Sequence, residues 1–208
     1  DFRPGQKEAV TAVLEQKDCL VVLPTGGGKS LCYQLPTLAK PGLCVVVSPL
    51  IALMSDQVNS LKGKGIRAMD LSGPMREDDL ISALDNCKFG NFKFLYLSPE
   101  RAQHPLVQDR LSEMQLSLLA IDEAHCVSSW GHHFRPEYQK LYLLKNKLPN
   151  ATMVALTATA DKAVRSDIGE LLGMQNPKTF LSSFDRSNLS LSVLPGQKKW
   201  EQIRRIVH

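Results

Sequence analysis

Residues 19–30 read CLVVLPTGGGKS, and this stretch decides the fold class of the chain. Residues 19–23 have the composition of a short buried strand, and a segment of helical period follows the glycines. Three consecutive glycines let backbone N–H groups curl around an anion, and the start of the next helix adds its positive dipole. The stretch follows the phosphate-loop pattern G-x-x-x-x-G-K-[ST] except at its first position, which is Leu23.

This loop predicts a nucleotide site with ATP and Mg²⁺ as cofactors. Lys29 is expected to contact the β- and γ-phosphates, and Ser30 is expected to bind Mg²⁺. A flexible glycine-rich turn with a surface lysine is the alternative, but the strand before it and the helix after it argue against that interpretation. The predicted nucleotide contacts of the loop are Thr25, Gly26, Gly27, Gly28, Lys29 and Ser30.

Short apolar runs alternate with segments of helical period along the chain, which predicts an α/β fold with three layers. A mostly parallel sheet is expected to carry helices on both faces. The predicted strands are residues 19–23, 43–47, 67–70, 93–97, 116–121 and 152–156. The predicted helices are residues 6–16, 29–38, 50–61, 76–87, 137–147 and 162–172. One domain is expected over residues 1–183, followed by a connector over residues 184–208 that turns helical from residue 197.

Residues 122–138 read DEAHCVSSWGHHFRPEY and combine an acidic pair with an aromatic, basic loop. Asp122 and Glu123 follow an apolar run, so they are expected at the carboxyl end of a buried strand, where open α/β sheets bind ligands. There they can reach a bound metal ion, and a solvated helix N-cap is the alternative. Trp130 and Phe134 offer flat faces to nucleobases, with core packing as the alternative.

Composition is that of a globular protein with a small basic excess. The 208 residues are 43% hydrophobic and 22% charged, and the net charge of +4 permits a nucleic-acid partner without requiring one. Five cysteines form no C-x-x-C pair, so they are expected to be reduced core thiols of a cytoplasmic protein, with no zinc site in this chain. No signal peptide is visible, and residues 42–54 fall short of the roughly 18 residues of a membrane span, so no membrane partner is expected.

Six motifs in order carry a resemblance to a known family. They are DFRPGQ at 1–6, PTGGGKS at 24–30, SPLIALMSDQ at 48–57, YLSPE at 96–100, DEAHCVSSWGHHFRPEY at 122–138 and ALTATA at 155–160. The sequences of these motifs and their order resemble the RecQ family of superfamily 2 DNA helicases, bacterial type, over nearly the whole chain. The resemblance implies the first RecA-like lobe of an ATP-dependent, 3′-to-5′ DNA helicase that works in the bacterial cytoplasm at the nucleoid.

The resemblance also implies roles around the nucleotide. Gln6 is similar to the family's adenine-reading glutamine and Arg3 to its base-stacking guanidinium, with a plain surface helix residue as the alternative for Gln6. Asp122 is implied to hold Mg²⁺ through water, and Glu123 to orient and deprotonate the attacking water. His125 is similar to the residue that links the nucleotide to the second lobe. The implied catalytic residues are Lys29, Asp122, Glu123 and His125.

Single-stranded and partially duplex DNA are the implied partners. The loop at residues 128–135 and the ends of other strands are implied to contact the DNA. Ordinary turn and helix-cap roles are the alternatives for Ser48, Thr157 and Thr159. The residues implied to bind DNA or to couple it to hydrolysis are Trp130, His132, Phe134, Arg135, Ser48, Gln57, Arg101, Thr157 and Thr159.

Two features distinguish this sequence from the family pattern. Ser129 and His133 stand where the family has Gln and Asp, and a histidine there predicts a steeper pH dependence of DNA-stimulated activity. The second RecA-like lobe, with its arginine fingers, and the family's zinc-binding and winged-helix regions lie outside this sequence, so weak hydrolysis by the chain alone is expected. Two other functions stay open: a nucleotide-gated DNA-binding module without productive hydrolysis, and an unrelated P-loop ATPase or kinase.

Overall fold

A seven-stranded parallel sheet forms the centre of the protein in a computed structural model that describes residues 1–130, 133–182, 200 and 204. Its strands are β1 (Cys19–Val22), β2 (Leu43–Val47), β3 (Ala68–Asp70), β4 (Phe94–Leu97), β5 (Leu116–Ile121), β6 (Thr152–Thr157) and β7 (Lys178–Leu181). Their order across the sheet is β3-β4-β2-β5-β6-β1-β7, and every pairing is parallel. Parallel neighbours require crossover connections, which the helices supply.

Helices cover both faces of this sheet. One face carries α1 (Gln6–Leu14), α2 (Leu31–Ala39) and α3 (Ile51–Gly63). The other face carries α4 (Glu77–Phe89), α5 (Pro99–Ala102), α6 (Pro105–Ser112), α7 (Pro136–Gln139), α8 (Leu141–Lys147) and α9 (Lys162–Leu171), with a 3-10 turn at Ala124–Val127. The predicted three-layer α/β fold with a parallel sheet is therefore confirmed.

Side chains of each inner strand alternate between two hydrophobic layers. In β1, Leu20 and Val22 pack toward α4–α9, whereas Cys19 and Val21 pack toward α1–α3. Strands buried on both faces read as continuous apolar runs, as β2 does with the sequence LCVVV. All five cysteines are free and buried, which confirms the prediction of core thiols, and burial raises the pKa of Cys44 to about 12.

Three neighbouring strands bring the predicted site residues to one edge of the sheet. β5 pairs with β6, and β6 pairs with β1, all in parallel, so their carboxyl ends lie side by side. The glycine loop follows β1, Asp122 follows β5, and Thr157 is the last residue of β6. Strand order therefore assembles a site from three segments that are distant from one another in the chain.

Several elements differ from the sequence predictions. β7 was not expected because its sequence KTFL contains no apolar run and its side chains are mostly exposed at the sheet edge. α5 and α6 were also missed, because both are short and each begins with proline. The predicted helix over residues 137–147 is divided into α7 and α8 at Lys140. The predicted connector, residues 184–208, lies outside the described residues apart from Trp200 and Arg204.

Over the part of the chain that the structure describes, the helices are too short or too polar to cross a membrane.

Candidate nucleotide and nucleic-acid site

The glycine loop between β1 and α2 has the backbone of an anion-binding site. Gly26 and Gly28 have φ angles of 76° and 77°, in the left-handed region that glycine adopts without strain. A Cβ on Gly28 would lie 2.4 Å from the Gln6 side-chain nitrogen, so another residue there would be strained by its φ angle and would displace the Gln6 amide. Lys29 lies along the loop, and its Nζ donates to the Leu23 carbonyl oxygen at 3.4 Å. The loop therefore offers backbone space and a positive charge to a phosphate group.

Gln6 and Arg3 support this loop from the start of α1. Gln6 is only 3% exposed, so its interpretation as a surface helix residue is wrong. Its Nε2 donates to the carbonyl oxygens of Gly27 at 3.0 Å and Gly28 at 3.2 Å, and its Oε1 accepts the Arg3 backbone N–H at 2.8 Å. The Arg3 guanidinium donates to the Gly26 carbonyl and lines a pocket of about 370 Å³ beside the loop. Contact of Gln6 and Arg3 with adenine stays a prediction.

The remaining predicted loop contacts are close to these residues. Ser30 is the residue that precedes α2, and its side chain makes no capping hydrogen bond there. Its hydroxyl is therefore not committed to the helix end. Thr25 lies in the loop and also lines the pocket beside Glu123 and His125.

The acidic pair lies directly after β5. The Asp122 Oδ1 accepts the backbone N–H of Glu123 at 3.0 Å, and its Oδ2 accepts the Ser48 hydroxyl at 3.3 Å. Glu123 has a φ angle of 48°, which is uncommon for a residue with a side chain and turns the chain sharply out of the strand. The Glu123 side chain makes no capping hydrogen bond to the 3-10 turn, and Asp122 is partly buried. Glu123 therefore occupies the position before the 3-10 turn, but its carboxylate does not cap that turn.

Electrostatics around Asp122 suit a nearby cation. Burial is the main cause that raises the pKa of Asp122, and the charge of Glu123 raises it further. The Glu123 backbone N–H, the Lys29 ammonium and the Ser48 hydroxyl oppose this rise. Among residues 1–130 and 133–182, no three His, Cys, Asp or Glu side chains cluster as a metal site. Mg²⁺ is commonly bound by one or two carboxylates together with nucleotide phosphates and water, so a single carboxylate such as Asp122 is compatible with a Mg²⁺ site.

His125 connects the acidic pair to the end of β6. Its Nδ1 lies 2.8 Å from the Thr157 Oγ1 and 3.3 Å from a Glu123 carboxylate oxygen. Burial lowers the pKa of His125, and the nearby His133 ring, 6.1 Å away between centroids, lowers it further, so the neutral imidazole is favoured. The fully buried Thr157 hydroxyl donates to the Thr159 carbonyl at 3.0 Å and accepts the Thr159 N–H at 3.2 Å.

α9 begins after β6 without help from either threonine. The Asp161 carboxylate accepts the Val164 N–H at 2.9 Å and caps the helix. The interpretation of Thr157 and Thr159 as helix caps is therefore wrong. Their coupling role stays a prediction.

The aromatic loop, defined as residues 128–135, follows the 3-10 turn. Trp130 is 78% exposed and Phe134 is 40% exposed, so their interpretation as core residues is wrong. Arg135 is partly exposed, and its backbone N–H is bonded to the carbonyl of Cys126 in the 3-10 turn. A pocket of about 480 Å³ lies between Trp130 and the segment before α9.

His132, which the sequence also implied as a DNA contact, lies outside the described residues.

Two residues predicted to bind DNA phosphates have partners inside the chain. Ser48 is 1% exposed and donates to Asp122, so the prediction that its side chain faces a DNA strand is wrong. Gln57 accepts the hydroxyls of Tyr33 at 2.7 Å and Tyr96 at 3.0 Å through its Oε1. The strand order explains the first result, since β2 pairs with β5 and Ser48 directly follows β2 beside Asp122. Gln57 lies on α3, where it meets Tyr33 of α2 and Tyr96 of β4.

Arg101 supports a neighbouring loop. Its Nε donates to the Leu71 carbonyl at 3.2 Å, and its NH2 group donates to the Gly73 carbonyl at 2.8 Å. The side chain is partly exposed beside a pocket of about 320 Å³. Contact of Arg101 and Gln57 with DNA stays a prediction.

Sequence reasoning missed two residues that hold the site together. The buried Tyr138 donates its hydroxyl to the Asp122 carbonyl at 2.8 Å, and Asp167 on α9 accepts the Ser128 hydroxyl at 2.6 Å. Tyr138 is the last residue of the motif at residues 122–138, so the sequence could have indicated its contact with the site. Asp167 gave no such signal, because its spacing on α9 is that of an ordinary exposed helix residue.

The fold and this edge of the sheet define a P-loop nucleotide-binding domain with an acidic pair and an exposed aromatic loop. The profile of DEAD/DEAH box helicases matches residues 3–166, and the chain belongs to this family. The sequence is 45% identical over 206 residues to the ATP-dependent DNA helicase RecQ of Pasteurella multocida, covering 99% of this chain and 33% of that protein. It is 44% identical over 207 residues to the probable ATP-dependent DNA helicase RecS of Bacillus subtilis, covering 99% of this chain and 41% of that protein. The predicted resemblance to RecQ helicases is confirmed, and the chain spans about a third to two fifths of the length of these relatives.

Solved structures show the same fold at lower sequence identity. The helicase domain of Pyrococcus furiosus Hef matches with a TM-score of 0.65 and 22% identity, covering 86% of this chain and 37% of that chain. A hypothetical ATP-dependent RNA helicase from Sulfolobus tokodaii matches with a TM-score of 0.64 and 18% identity, covering 86% of this chain and 52% of that chain. Both matches support the RecA-like arrangement of sheet and helices.

Proposed function

We propose that the chain is the first RecA-like lobe of an ATP-dependent DNA helicase that moves 3′ to 5′ along DNA. The lobe comprises residues 1–183, and residues 184–208 lead toward a second lobe. One observation carries the proposal: His125 joins Glu123 to Thr157, at the edge of the sheet where the glycine loop and the aromatic loop meet. The names of the RecQ and RecS relatives support ATP and DNA as the ligands.

The glycine loop and the acidic pair fit ATP with Mg²⁺. The positive φ angles of Gly26 and Gly28 leave backbone room for phosphate, and Lys29 brings a charge to that loop. Ser30 and Asp122 would hold Mg²⁺, which supplies positive charge to the phosphate oxygens when it is bound. The raised pKa of Asp122 fits this assignment, because the buried carboxylate gains most from a cation beside it.

Glu123 is the base in this proposal. Its carboxylate lies at the turn out of β5, where it can orient a water molecule toward the terminal phosphate and accept its proton. His125 holds one Glu123 oxygen at 3.3 Å and so orients the base from the side of β6. The second RecA-like lobe would supply the arginines that stabilise the transferring phosphoryl group, so this lobe alone hydrolyses ATP slowly.

The aromatic loop is the DNA contact in this proposal. Trp130 and Phe134 expose flat faces on which bases of any sequence can stack, and each stacked base contributes about 1 to 3 kcal/mol. Arg135 offers a charged fork to phosphate. Single-stranded and partially duplex DNA are the ligands, reached in the cytoplasm at the nucleoid.

The proposal is tested by substituting Trp130 and measuring DNA-stimulated ATP hydrolysis. The protein used is the longest natural polypeptide that contains this chain. Trp130→Ala is expected to reduce the stimulation of ATP hydrolysis by single-stranded DNA, because it removes the exposed stacking face. Phe89→Ala is the matched control, since Phe89 is also 78% exposed but ends α4 at the opposite edge of the sheet. Equal stimulation in Trp130→Ala and the control would contradict the proposal and favour a P-loop ATPase without a DNA role.

A further inference from the structure

A buried hydroxyl fixes the aromatic loop to α9. Ser128 is fully buried, and its Oγ donates to the Asp167 Oδ2 at 2.6 Å. The same oxygen accepts the backbone N–H of Trp130 at 3.2 Å. An O–H to carboxylate bond of this length is charge-assisted and roughly twice as strong as a neutral hydrogen bond. Asp167 therefore holds the backbone of Trp130 through a single intermediate group.

α9 is a firm support for this contact. Its first turn is capped by Asp161, and its inner face is anchored by Val164 at 6% exposure and Ile168 at 0% exposure. Arg165 also donates to the Ala160 carbonyl at 2.9 Å, which ties the helix to the segment before it. The position of Asp167 is thus fixed by the helix and by the core beneath it.

Two contacts attach the 3-10 turn to one continuous segment of chain. Within the turn, His125 is bonded to Thr157 at 2.8 Å. Directly after the turn, Ser128 is bonded to Asp167. Thr157 and Asp167 are joined by the end of β6, a short loop and α9, so the single turn is held at both ends by the same support.

These contacts make the segment between Glu123 and Trp130 rigid. The turn and residues 128–129 separate them in the chain, and the bonds of His125 and Ser128 hold the turn to the end of β6 and to α9. Trp130 and Glu123 are thereby held in one geometry relative to each other, so a base stacked on Trp130 would bias the position of Glu123. Without the outer contact, the aromatic loop could change its shape without affecting Glu123.

We infer that Asp167 is a positioning residue that transmits DNA contact at Trp130 to the acidic pair. The inference rests on the proposed function and adds a residue that neither the sequence motifs nor the family match assigns. In this inference Asp167 acts through the Ser128 hydroxyl and not by binding nucleotide or DNA itself. Its loss should therefore separate DNA binding from DNA stimulation.

The test uses the longest natural polypeptide that contains this chain. Asp167→Ala is expected to leave unstimulated ATP hydrolysis at the wild-type rate and to lower the maximal DNA-stimulated rate by about tenfold, with little change in the DNA concentration at half-stimulation. Asp167→Asn keeps an oxygen that accepts the Ser128 hydroxyl and should retain most of the stimulated rate. Glu170→Ala removes an exposed carboxylate from the same helix and is the matched control.

Trp130 provides an independent readout of DNA binding. This readout uses the 208-residue chain, which has two tryptophans, so Trp200→Phe leaves Trp130 as its only indole. In that background, single-stranded DNA should change Trp130 fluorescence with similar affinity in the parent protein and in Asp167→Ala. A thermal melt sets the assay temperature below the unfolding midpoint of every variant.

A double variant distinguishes a shared pathway from separate effects. Ser128→Ala removes the other half of the same bond, so Ser128→Ala with Asp167→Ala should be no worse than either change alone. Ser128→Ala also carries the test if Asp167→Ala folds poorly, because it leaves the Asp167 carboxylate free to be solvated.

Two results would overturn the inference while the proposed function stands. The first is wild-type stimulation in both Asp167→Ala and Ser128→Ala. The second is an equal loss of stimulated and unstimulated hydrolysis in well-folded variants, which would show a structural role alone. Absence of any DNA effect on the parent protein's hydrolysis and Trp130 fluorescence would instead overturn the proposed function, and the inference with it.

Discussion

Thr157→Val removes the hydroxyl at the centre of the link between the acidic pair and β6. Valine has nearly the same shape, so the change deletes hydrogen bonds and leaves packing in place. The Thr157 hydroxyl is fully buried and has three partners: the His125 Nδ1 at 2.8 Å, the Thr159 carbonyl at 3.0 Å and the Thr159 N–H at 3.2 Å. Since its one hydrogen goes to the Thr159 carbonyl, the His125 Nδ1 is the donor to the Thr157 oxygen.

The loss of stability in Thr157→Val depends on whether each former partner of the hydroxyl can find another hydrogen bond. Thr159 is exposed, so water can replace the hydroxyl for its backbone groups, whereas the half-buried His125 N–H keeps only its longer contact with Glu123 at 3.3 Å. The free energy of unfolding should therefore fall by about 1 to 3 kcal/mol. For a chain of 208 residues this corresponds to a midpoint lowered by about 3 to 10 °C.

Thermal unfolding of the 208-residue chain measures this change, followed by circular dichroism at neutral pH. Thr11→Val is the matched control, because it makes the same chemical change at an exposed position of α1 and should shift the midpoint by less than about 1 °C. Equal midpoints for Thr157→Val and Thr11→Val would refute the reasoning, because the link through His125 would then contribute nothing to the fold.

Three further predictions concern the nucleotide site and its pH dependence. Gly28→Ala places a Cβ 2.4 Å from the Gln6 nitrogen at a φ of 77°, so affinity for a fluorescent ATP analogue should fall by about tenfold or more, and unchanged affinity would contradict the account of the loop. Asp122→Asn should raise the unfolding midpoint at neutral pH, because the raised pKa of Asp122 means that its ionised form is less favourable in the folded chain than in the unfolded one. That gain should vanish below about pH 3, where the wild-type carboxyl is protonated in both states, and a pH-independent gain would contradict it. His133→Asp should raise the pKa of His125, because His133 now lowers it, and should make DNA-stimulated hydrolysis less steeply dependent on pH, whereas superimposable pH profiles would remove the idea.

The inner part of the fold could be predicted from the sequence because burial on both faces leaves a continuous apolar signal. β2 and β5 have the predicted bounds, and the other inner strands differ by one residue at an end. β7 lacks that signal, since among the described strands it pairs with β1 alone and exposes Lys178 and Thr179 at the sheet edge. α5 and α6 are too short to show a helical period, so their prolines look like loop residues.

The local parts of the candidate site could also be predicted, because the residue types in a loop that directly follows a strand indicate which ligand the loop can bind. The glycine loop and the acidic pair lie where the pattern of strands indicated. Contacts between distant segments could not be predicted, because they depend on strand order. Ser48 was expected to face DNA, but β2 lies beside β5 and the hydroxyl is buried against Asp122. The bond between Ser128 and Asp167 likewise joins residues 39 positions apart that no motif connects.

ATP hydrolysis measured with and without single-stranded DNA tests the central claim most directly. The 208-residue chain is compared with the longest natural polypeptide that contains it, at equal concentrations and with Mg²⁺ present. The proposed split site predicts DNA-stimulated hydrolysis by the longer protein and little hydrolysis by the 208-residue chain. Equal DNA-stimulated hydrolysis by both would show that one lobe suffices, and the need for a second lobe's arginines would be contradicted.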